Sequence, residues 1–169
     1  MKARHIVTVA VLMAASMLAK AQEQPKAPGL EYAFTLKVKC ENAFTVGKTS
    51  HGTRAVIPIV GGTFEGPNIK GTILSGGADY QLIDSAKGRN EIEAIYCIKT
   101  DDDVYIHVRN CGLIVTGKND DGTPKFYFRC APKFEAPNDS KYDWLNNSLF
   151  ICEPGFEPGF IMLNIWRVL

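Results

Sequence analysis

The stretch of sequence that decides the fold is residues 92–108, IEAIYCIKTDDDVYIHV. Apolar residues occupy every second position from Ile92 to Ile98 and again from Val104 to Val108. A period of two is typical of a β-strand with one buried face. The polar run Asp101–Asp103 separates the two stretches. The pattern therefore predicts two antiparallel strands joined by a three-residue hairpin loop.

The register of this hairpin follows from the requirement that both apolar sets share a face. Residue pairs must then be matched so that Thr100 lies opposite Val104, Cys97 opposite His107 and Cys111 opposite Glu93. Cys97 and Cys111 would then be on the order of 13 Å apart along the strands, which is too far for a disulfide. Such a loop commonly holds one residue in the left-handed region, where aspartate is the second choice after glycine.

The remainder of the chain reads as short apolar runs separated by glycine, proline and asparagine. No stretch after residue 21 shows sustained helical periodicity, although residues 138–147 can carry one short helical turn. Pairing of the first and last strands would close the sheet and remove its edges. We therefore predict an all-β fold, a single closed antiparallel β-barrel over residues 30–169, with strands near residues 34–40, 56–60, 69–74, 78–83, 92–100, 104–111, 125–130, 145–152 and 160–168.

The N-terminus has the pattern of an export signal. Basic residues at the start precede an uncharged stretch, residues 6–19, and the small-x-small site Ala19–Ala21. The uncharged stretch is short for a membrane span, which takes about 20 apolar residues, so an uncleaved anchor is the less favoured alternative. We expect cleavage near Ala21, a flexible leader at residues 22–29, and a mature protein in the periplasm or outside the cell without a transmembrane segment.

Charge and composition exclude several classes of binding partner. Removal of the predicted signal leaves 16 of the 19 basic residues against 18 acidic ones, and no run of lysine or arginine remains. Nucleic acid is therefore not expected as a partner. The two remaining histidines, His51 and His107, are far apart and lack carboxylates at ligand spacing, so we expect neither a metal site nor a cofactor. The five cysteines are an odd number and show no C-x-x-C spacing.

An ordered series of short motifs resembles the domain-of-unknown-function 3237 family, also called uncharacterised protein family 0311. The resemblance covers nearly all of the predicted mature chain and implies a small closed β-barrel of lipocalin-like size, without implying an established activity. The motifs are RAVIPIVGGTFEGP at 54–67, GGADYQ at 76–81, TDD at 100–102, VRN at 108–110, YFR at 127–129, PKFE at 132–135 and YDWLN at 142–146.

Three residues depart from that family pattern: Tyr80 replaces tryptophan, Asp103 replaces glycine and Cys130 replaces threonine. Because Cys111 and Cys130 both depart from what the family usually carries and lie in consecutive strands, a Cys111–Cys130 disulfide is the pairing we expect if one forms. Five buried free thiols are the alternative.

The resemblance also selects candidate site residues. Alternation alone is compatible with a solvated outer face for most of them and does not decide which face lines a cavity. Several positions that match the family motifs carry side chains suited to bind an organic acid or a sugar. They predict a ligand site that consists of Asp79, Gln81, Arg109, Arg129, Glu135, Trp144 and Asn146. Candidates for acid–base catalysis are Asp79, Glu135 and Glu65, with Asp102 as a further carboxylate.

Three functions are compatible with these observations. The first is a binding barrel that holds a small organic molecule, sugar-like or an aromatic acid. The second is a cofactor-free lyase or isomerase that uses carboxylate acid–base chemistry with an arginine as the anion partner. The third is an envelope interaction protein. A pair of carboxylates across a cleft would favour the second function, and a large exposed apolar patch the third.

Overall fold

The structure, a computed structural model, describes residues 25–169. The predicted export signal lies outside these residues. Within them no helix is long and apolar enough to cross a membrane. Two short 3₁₀ turns, Ser85–Lys87 and Asp143–Leu145, accompany ten strand segments: β1 (Leu30–Cys40), β2 (Phe44–Thr49), β3 (Gly52–Glu65), β4 (Lys70–Ile73), β5 (Gly77–Asp84), β6 (Arg89–Thr100), β7 (Tyr105–Lys118), β8 (Pro124–Glu135), β9 (Phe150–Glu157) and β10 (Phe160–Val168).

The segments form a closed, eight-stranded antiparallel barrel, which confirms the predicted fold. Ten segments give eight strand positions because two pairs of segments lie end to end. One edge of β3 pairs with β1 and β2, and its other edge pairs with β4 and β5. The circuit runs from β1 through β10, β9, β8, β7 and β6 to β4 and β5, then to β3 and back to β1. The predicted pairing of the first and last strands is present.

A glycine corner in β3 allows the barrel to close. Gly61 and Gly62 have φ values of 145° and 135°, which side-chain-bearing residues rarely adopt. A Cβ atom on Gly62 would lie 2.0 Å from the carbonyl oxygen of Lys37 on β1. The strand was expected to end at these glycines, but it bends there and continues to Glu65. The corner is thus a point of close backbone approach, as glycine in a strand often is.

The hairpin of residues 92–108 has the predicted register. Cys97 pairs with His107 and Glu93 pairs with Cys111, and the backbone amide of Thr100 donates to the carbonyl oxygen of Val104 over 2.9 Å. Asp103 carries the left-handed conformation, with φ of 65°. Even-numbered residues from Ile92 to Thr100 and from Ile106 to Asn110 are buried, so this face is the barrel interior.

Several strand boundaries differ from the sequence prediction. The strand β2 was not predicted, because only Phe44 and Val46 on it are large and apolar and both are exposed. The strand expected from Leu145 begins at Phe150, because the preceding residues form a loop around the second 3₁₀ turn. The strands β7 and β8 extend as a long hairpin through residues expected to be a loop.

The expected Cys111–Cys130 disulfide is incompatible with this structure. Cys111 is exposed and lies opposite Ala131 on the outside of the barrel, whereas Cys130 is buried and lies opposite Gly112 on the inside. Residues on opposite faces of a sheet direct their Cβ atoms away from each other, and a disulfide cannot join them without movement of the backbone.

One end of the barrel is closed by aromatic packing. Phe134 packs edge-on against Phe34 and Phe150, with ring centroids 5.4 Å and 5.1 Å apart. The loop before β9 places Leu145 and Tyr142, both nearly fully buried, against this cluster. These side chains account for much of the core and close this end of the barrel.

Candidate active site in the barrel interior

The strand β5 turns its polar face inward. Asp79 lies directly opposite Ile57 of β3 on one side and Ala94 of β6 on the other. Ala94 belongs to the buried core, and directly opposed residues of an antiparallel pair point to the same face. Asp79 and Gln81 therefore point into the barrel, and the more apolar residues between and beside them point out.

A chain of hydrogen bonds holds these side chains. The backbone N–H of Glu93 donates to Oδ1 of Asp79 over 3.1 Å, and Nε2 of Gln81 donates to Oδ2 of Asp79 over 2.7 Å. The Nδ2 group of Asn90 in turn donates to Oε1 of Gln81 over 2.7 Å. The Oδ1 atom of Asn90 is buried and accepts no hydrogen bond from the described residues. The series of hydrogen bonds thus ends at the Asn90 Oδ1 atom, which can accept a hydrogen bond from a ligand.

Two further polar side chains lie deeper in the barrel. Ala94 pairs with Asp79 on one side and with Asn110 on the other, so the two polar residues flank one small residue, their Cα atoms roughly 10 Å apart across two strand spacings. Tyr96 lies one inward position further along β6. Asn110 is 2% exposed and Tyr96 is 3% exposed. The Asn110 Oδ1 and the Tyr96 hydroxyl have no hydrogen-bond partner among the described residues.

Unpartnered polar atoms in such a place indicate a binding surface. Burial of a polar group without a hydrogen bond costs about 1–3 kcal/mol, so native proteins rarely leave several together. Three such atoms, on Asn90, Tyr96 and Asn110, face the same interior as the Asp79 carboxyl group. A ligand or ordered water that supplies the missing partners would remove the cost.

Burial sets the ionisation of this interior. Desolvation raises the pKa of the Asp79 carboxyl group, against the lowering effect of its hydrogen bonds from Gln81 and from the Glu93 amide. Burial also raises the pKa of Tyr96, with the nearby thiols of Cys152, Cys130 and Cys40 adding to it. The Tyr96 phenol is therefore a neutral hydrogen-bond donor, and the pKa of the Asp79 carboxyl group lies above that of an ordinary aspartate. Among residues 25–169 no cluster of three or more histidine, cysteine or acidic side chains is placed to hold a metal ion.

The open end of the barrel is lined by aromatic rings. Asn90 pairs with Ile114, and Ile114 pairs with Phe128, which places the amide and the ring in one row of the interior. Phe156 stacks at a tilt on Phe128, with ring centroids 6.2 Å apart. Phe126 packs edge-on against Phe128, with ring centroids 6.4 Å apart. Phe126 and Phe156 are 62% and 64% exposed. The mouth thus presents apolar aromatic surface next to the inward-facing polar side chains. We call these side chains the polar row: Asp79, Gln81, Asn90, Tyr96 and Asn110.

The model of the family described as "Protein of unknown function (DUF3237)" matches residues 28–168. The chain belongs to this family. It is 33% identical over 155 residues to a UPF0311 protein of Rhodopseudomonas palustris, a match that covers 84% of this chain and 99% of the relative. A crystal structure of a β-barrel-like protein from Acinetobacter baumannii superposes with a TM-score of 0.75 at 31% identity, covering 88% of this chain and 100% of the other.

One similar protein has a named activity. The hydroalkoxylation enzyme phnH of Penicillium herquei is 27% identical to this DUF3237 protein over 161 residues, a match that covers 95% of this chain and 97% of the enzyme. A crystal structure of an enzyme from Penicillium herquei superposes with a TM-score of 0.68 at 25% identity, covering 86% of this chain and 98% of the other. Hydroalkoxylation is the addition of the O–H bond of an alcohol or phenol across a carbon–carbon double bond, which forms an ether.

The structure divides the site residues predicted from the sequence between the two faces of the barrel wall. Asp79 and Gln81 are brought together inside. Arg129 lies outside opposite Leu113, where it bonds Glu153 over 2.8 Å. The barrel wall therefore separates the predicted arginine partner from the Asp79 carboxyl group, and the predicted convergence of the two on one cavity does not occur.

The other predicted basic and acidic side chains also lie outside. Arg109 donates from Nε to Glu93 over 2.7 Å, beside an external groove of about 440 Å³. Glu135 is exposed and lies 3.9 Å from His107 and from Lys133. These pairs lie on the outer face, and their geometry does not connect them to the interior.

The remaining predicted residues serve the closed end and its surroundings. Asn146 accepts from the amide of Ala136 over 2.8 Å and so fixes the loop before β9. Trp144 packs edge-on against Phe150 at 5.8 Å. Glu65 is exposed at the end of β3, and Asp102 lies at the hairpin tip, where it accepts from the Tyr142 hydroxyl. All lie away from the row that contains Asp79.

Sequence reasoning did not select Asn90, Tyr96 or Asn110 as site residues. Asn110 carried a usable signal, since it interrupts the apolar set Ile106 and Val108 on a buried face and stands in a family motif. Tyr96 reads as an ordinary core aromatic, because its unpartnered hydroxyl is visible only in three dimensions.

Proposed function

We propose that this protein binds a small hydroxylated aromatic molecule at the mouth of the barrel and adds the O–H bond of its hydroxyl group across a carbon–carbon double bond to form an ether. The Asp79 carboxyl group inside the barrel, with its raised pKa, carries this proposal. The similarity to a hydroalkoxylation enzyme over nearly the whole chain supports the reaction class.

The reaction needs one proton donor and one proton acceptor, and a single carboxyl group can serve as both. Protonated Asp79 gives its proton to one carbon of the double bond, and the hydroxyl oxygen of the substrate bonds to the other carbon. The Asp79 carboxylate then takes the proton of that hydroxyl group. One O–H bond and one π bond are lost, one C–H and one C–O bond form, and Asp79 is regenerated. Positioned acid–base groups contribute about 10²–10⁴-fold to a rate.

The surrounding residues fit an aromatic substrate with a polar substituent. Phe126, Phe128 and Phe156 offer ring faces and edges to a planar apolar body. The Tyr96 hydroxyl can donate to a substrate oxygen, and the Oδ1 atoms of Asn90 and Asn110 can accept from a substrate hydroxyl. The polar row would thus orient the substrate, and the aromatic mouth would bind its body.

The buried carboxyl group distinguishes this proposal from the two other functions. A protein that only binds an aromatic molecule needs the mouth but not an acid in the interior, whose burial raises its pKa and opposes its ionisation. An interaction protein would use the outer surface and would leave the interior polar row without a role. The enzyme proposal accounts for the mouth, the polar row and the acid together.

The test uses the full chain and a panel of phenols that carry an allyl or prenyl group next to the hydroxyl. The product is a cyclic ether with the mass of the substrate, and in D₂O one deuterium should appear at the new C–H position. We expect Asp79→Asn to lower kcat/KM by about 10²-fold or more. Asp84→Asn is the matched control, because Asp84 ends the same strand but is partly exposed, and its carboxylate only caps the following turn and pairs with Lys87.

The pH profile provides a second readout. Because the first step uses protonated Asp79, kcat/KM should fall as the pH rises through the raised pKa of this group. Wild-type turnover in Asp79→Asn would overturn the proposal. Binding of the phenols without conversion would overturn it in favour of a binding barrel.

A further inference from the structure

The barrel has one weakly paired seam. Within the described residues, the Cys130–Cys152 position is the only backbone pairing between β8 and β9. The other neighbouring segments around the barrel are each joined by three or more pairs, and β7 is joined to β8 by twelve. Few backbone bonds therefore hold this side of the barrel closed.

The geometry of the cysteine pair matches that of a disulfide. Residues directly opposite each other in antiparallel strands have Cα atoms about 4.5–5.5 Å apart, and disulfides span about 4.4–6.8 Å. Both side chains are buried on the inward face, with exposures of 5% and 1%. Gly112 leaves room for the Cys130 sulfur, since a Cβ atom at that glycine would lie 2.5 Å from it.

The remaining cysteines are poor competitors. Cys97 and Cys111 lie on the outer face, opposite His107 and Glu93. Cys40 lies on β1 opposite Ile59, and β10 separates β1 from Cys152 on β9. In contrast, Cys130 and Cys152 are free thiols that lie opposite each other in this structure, and the interaction with the Cys130 thiol is the largest cause of the raised pKa of Cys152.

We propose that Cys130 and Cys152 form a disulfide that fastens the β8–β9 seam of the barrel. The oxidant is a small disulfide such as oxidised glutathione. The thiolate of one cysteine attacks a glutathione sulfur and releases one reduced glutathione. The thiolate of the second cysteine then attacks the protein sulfur of the mixed disulfide and releases another. The two cysteines lose two electrons and two protons in total, and the oxidised glutathione gains them.

Burial makes the folded, reduced protein slow to react. The raised pKa of Cys152 keeps its thiol protonated, and the thiolate is the reactive form. The bond should therefore form mainly during oxidative folding, before the seam closes. Residues 130–152 would then form a covalent loop, whose closure restricts the unfolded chain and stabilises the fold.

The experiment refolds the full chain in a mixture of reduced and oxidised glutathione and maps peptides without reduction. A peptide pair joined through Cys130 and Cys152 is expected, with three of the five cysteines still open to alkylation after unfolding. The oxidised protein should melt about 5–10 °C above the reduced protein. Five alkylatable thiols in the refolded protein, or a bridge to another cysteine, would overturn the proposal.

Matched variants separate this bond from general effects of oxidation. Cys130→Ala and Cys152→Ala should each lack the joined peptide and show the same melting temperature with and without oxidant. Cys111→Ser should keep both the joined peptide and the melting difference, because Cys111 lies outside. The mapping of the wild-type chain does not depend on whether a buried variant folds.

Discussion

Gln81 donates a hydrogen bond of 2.7 Å from Nε2 to Oδ2 of Asp79, two residues earlier on the same inward face of β5. This contact favours the charged form of the carboxyl group, as does the bond from the Glu93 amide. Burial opposes both and is the larger effect, so the pKa of Asp79 is raised. Asp79 thus binds a proton more tightly in the folded chain than in the unfolded one.

The first prediction concerns the pH dependence of stability. A raised pKa in the folded state means that stability falls as the pH rises from the ordinary aspartate value through the raised value. The loss of stability is absent below the ordinary aspartate pKa and complete above the raised pKa. Asp79→Asn removes the titration, so its melting temperature relative to wild type should increase across this window and then level off. Thermal melts from about pH 3 to about pH 8 test this. A difference that stays constant with pH would contradict the assignment.

The sequence was sufficient for the barrel and for its central hairpin. The register between Ile92 and Val108 follows from two apolar sets that must share one face, and a shift of one residue would reverse both strands. Asp103 then adopts the left-handed conformation that the short loop requires. Local pattern and tertiary structure agree in this region because burial alone determines both.

The face of β5 could not be predicted in this way. Ala78, Tyr80 and Leu82 form the more apolar set, but the polar set with Asp79 and Gln81 faces the interior. Alternation predicts the inward face only when the interior is apolar throughout. A barrel that encloses a polar row reverses the pattern on the strand that carries the row, so the site is where the sequence rule fails.

The second prediction concerns Arg129, which sequence motifs placed in the ligand site. Its pair with Glu153 is about half exposed on both sides, and such pairs contribute about 0–1 kcal/mol to stability. Because the side chain lies outside the wall, Arg129→Ala should change the turnover of the alkenyl phenols by less than about threefold and stability by less than about 1 kcal/mol. Kinetics and denaturant unfolding measure the two effects. A loss of activity comparable to that of Asp79→Asn would place the site on the outer face instead.

The third prediction concerns the N-terminus, which lies outside the described residues. We propose export with cleavage after Ala21, on the basis of the basic start, the uncharged stretch and the small residues at 19 and 21. Intact mass and N-terminal sequencing of protein from an exporting host should give a chain that starts near Gln22. A soluble exported chain that retains Met1 would contradict the cleavage. Lys20→Pro next to the site should slow processing, whereas Lys26→Ala beyond it should not.

The last prediction concerns the closed end of the barrel. The buried Tyr142 donates its hydroxyl proton to Oδ1 of Asp102 over 2.5 Å, and Lys141 lies 2.9 Å from Oδ2. The Tyr142 bond, followed by that of Lys141, lowers the pKa of Asp102. A lowered pKa in the folded state contributes stability that is present above the ordinary aspartate value and is lost as the pH falls toward the folded value.

Tyr142→Phe should therefore lower the melting temperature near neutral pH by about 2–4 °C, the shift expected for one lost hydrogen bond in a domain of this size. The difference from wild type should shrink as acid protonates Asp102, because the charged partner is then lost in both proteins. Tyr105→Phe is the matched control, since that ring is 58% exposed on the adjacent strand and should leave the melting temperature unchanged. A Tyr142→Phe effect that is equal at neutral and acid pH would assign the stabilisation to ring packing instead of the bond to Asp102.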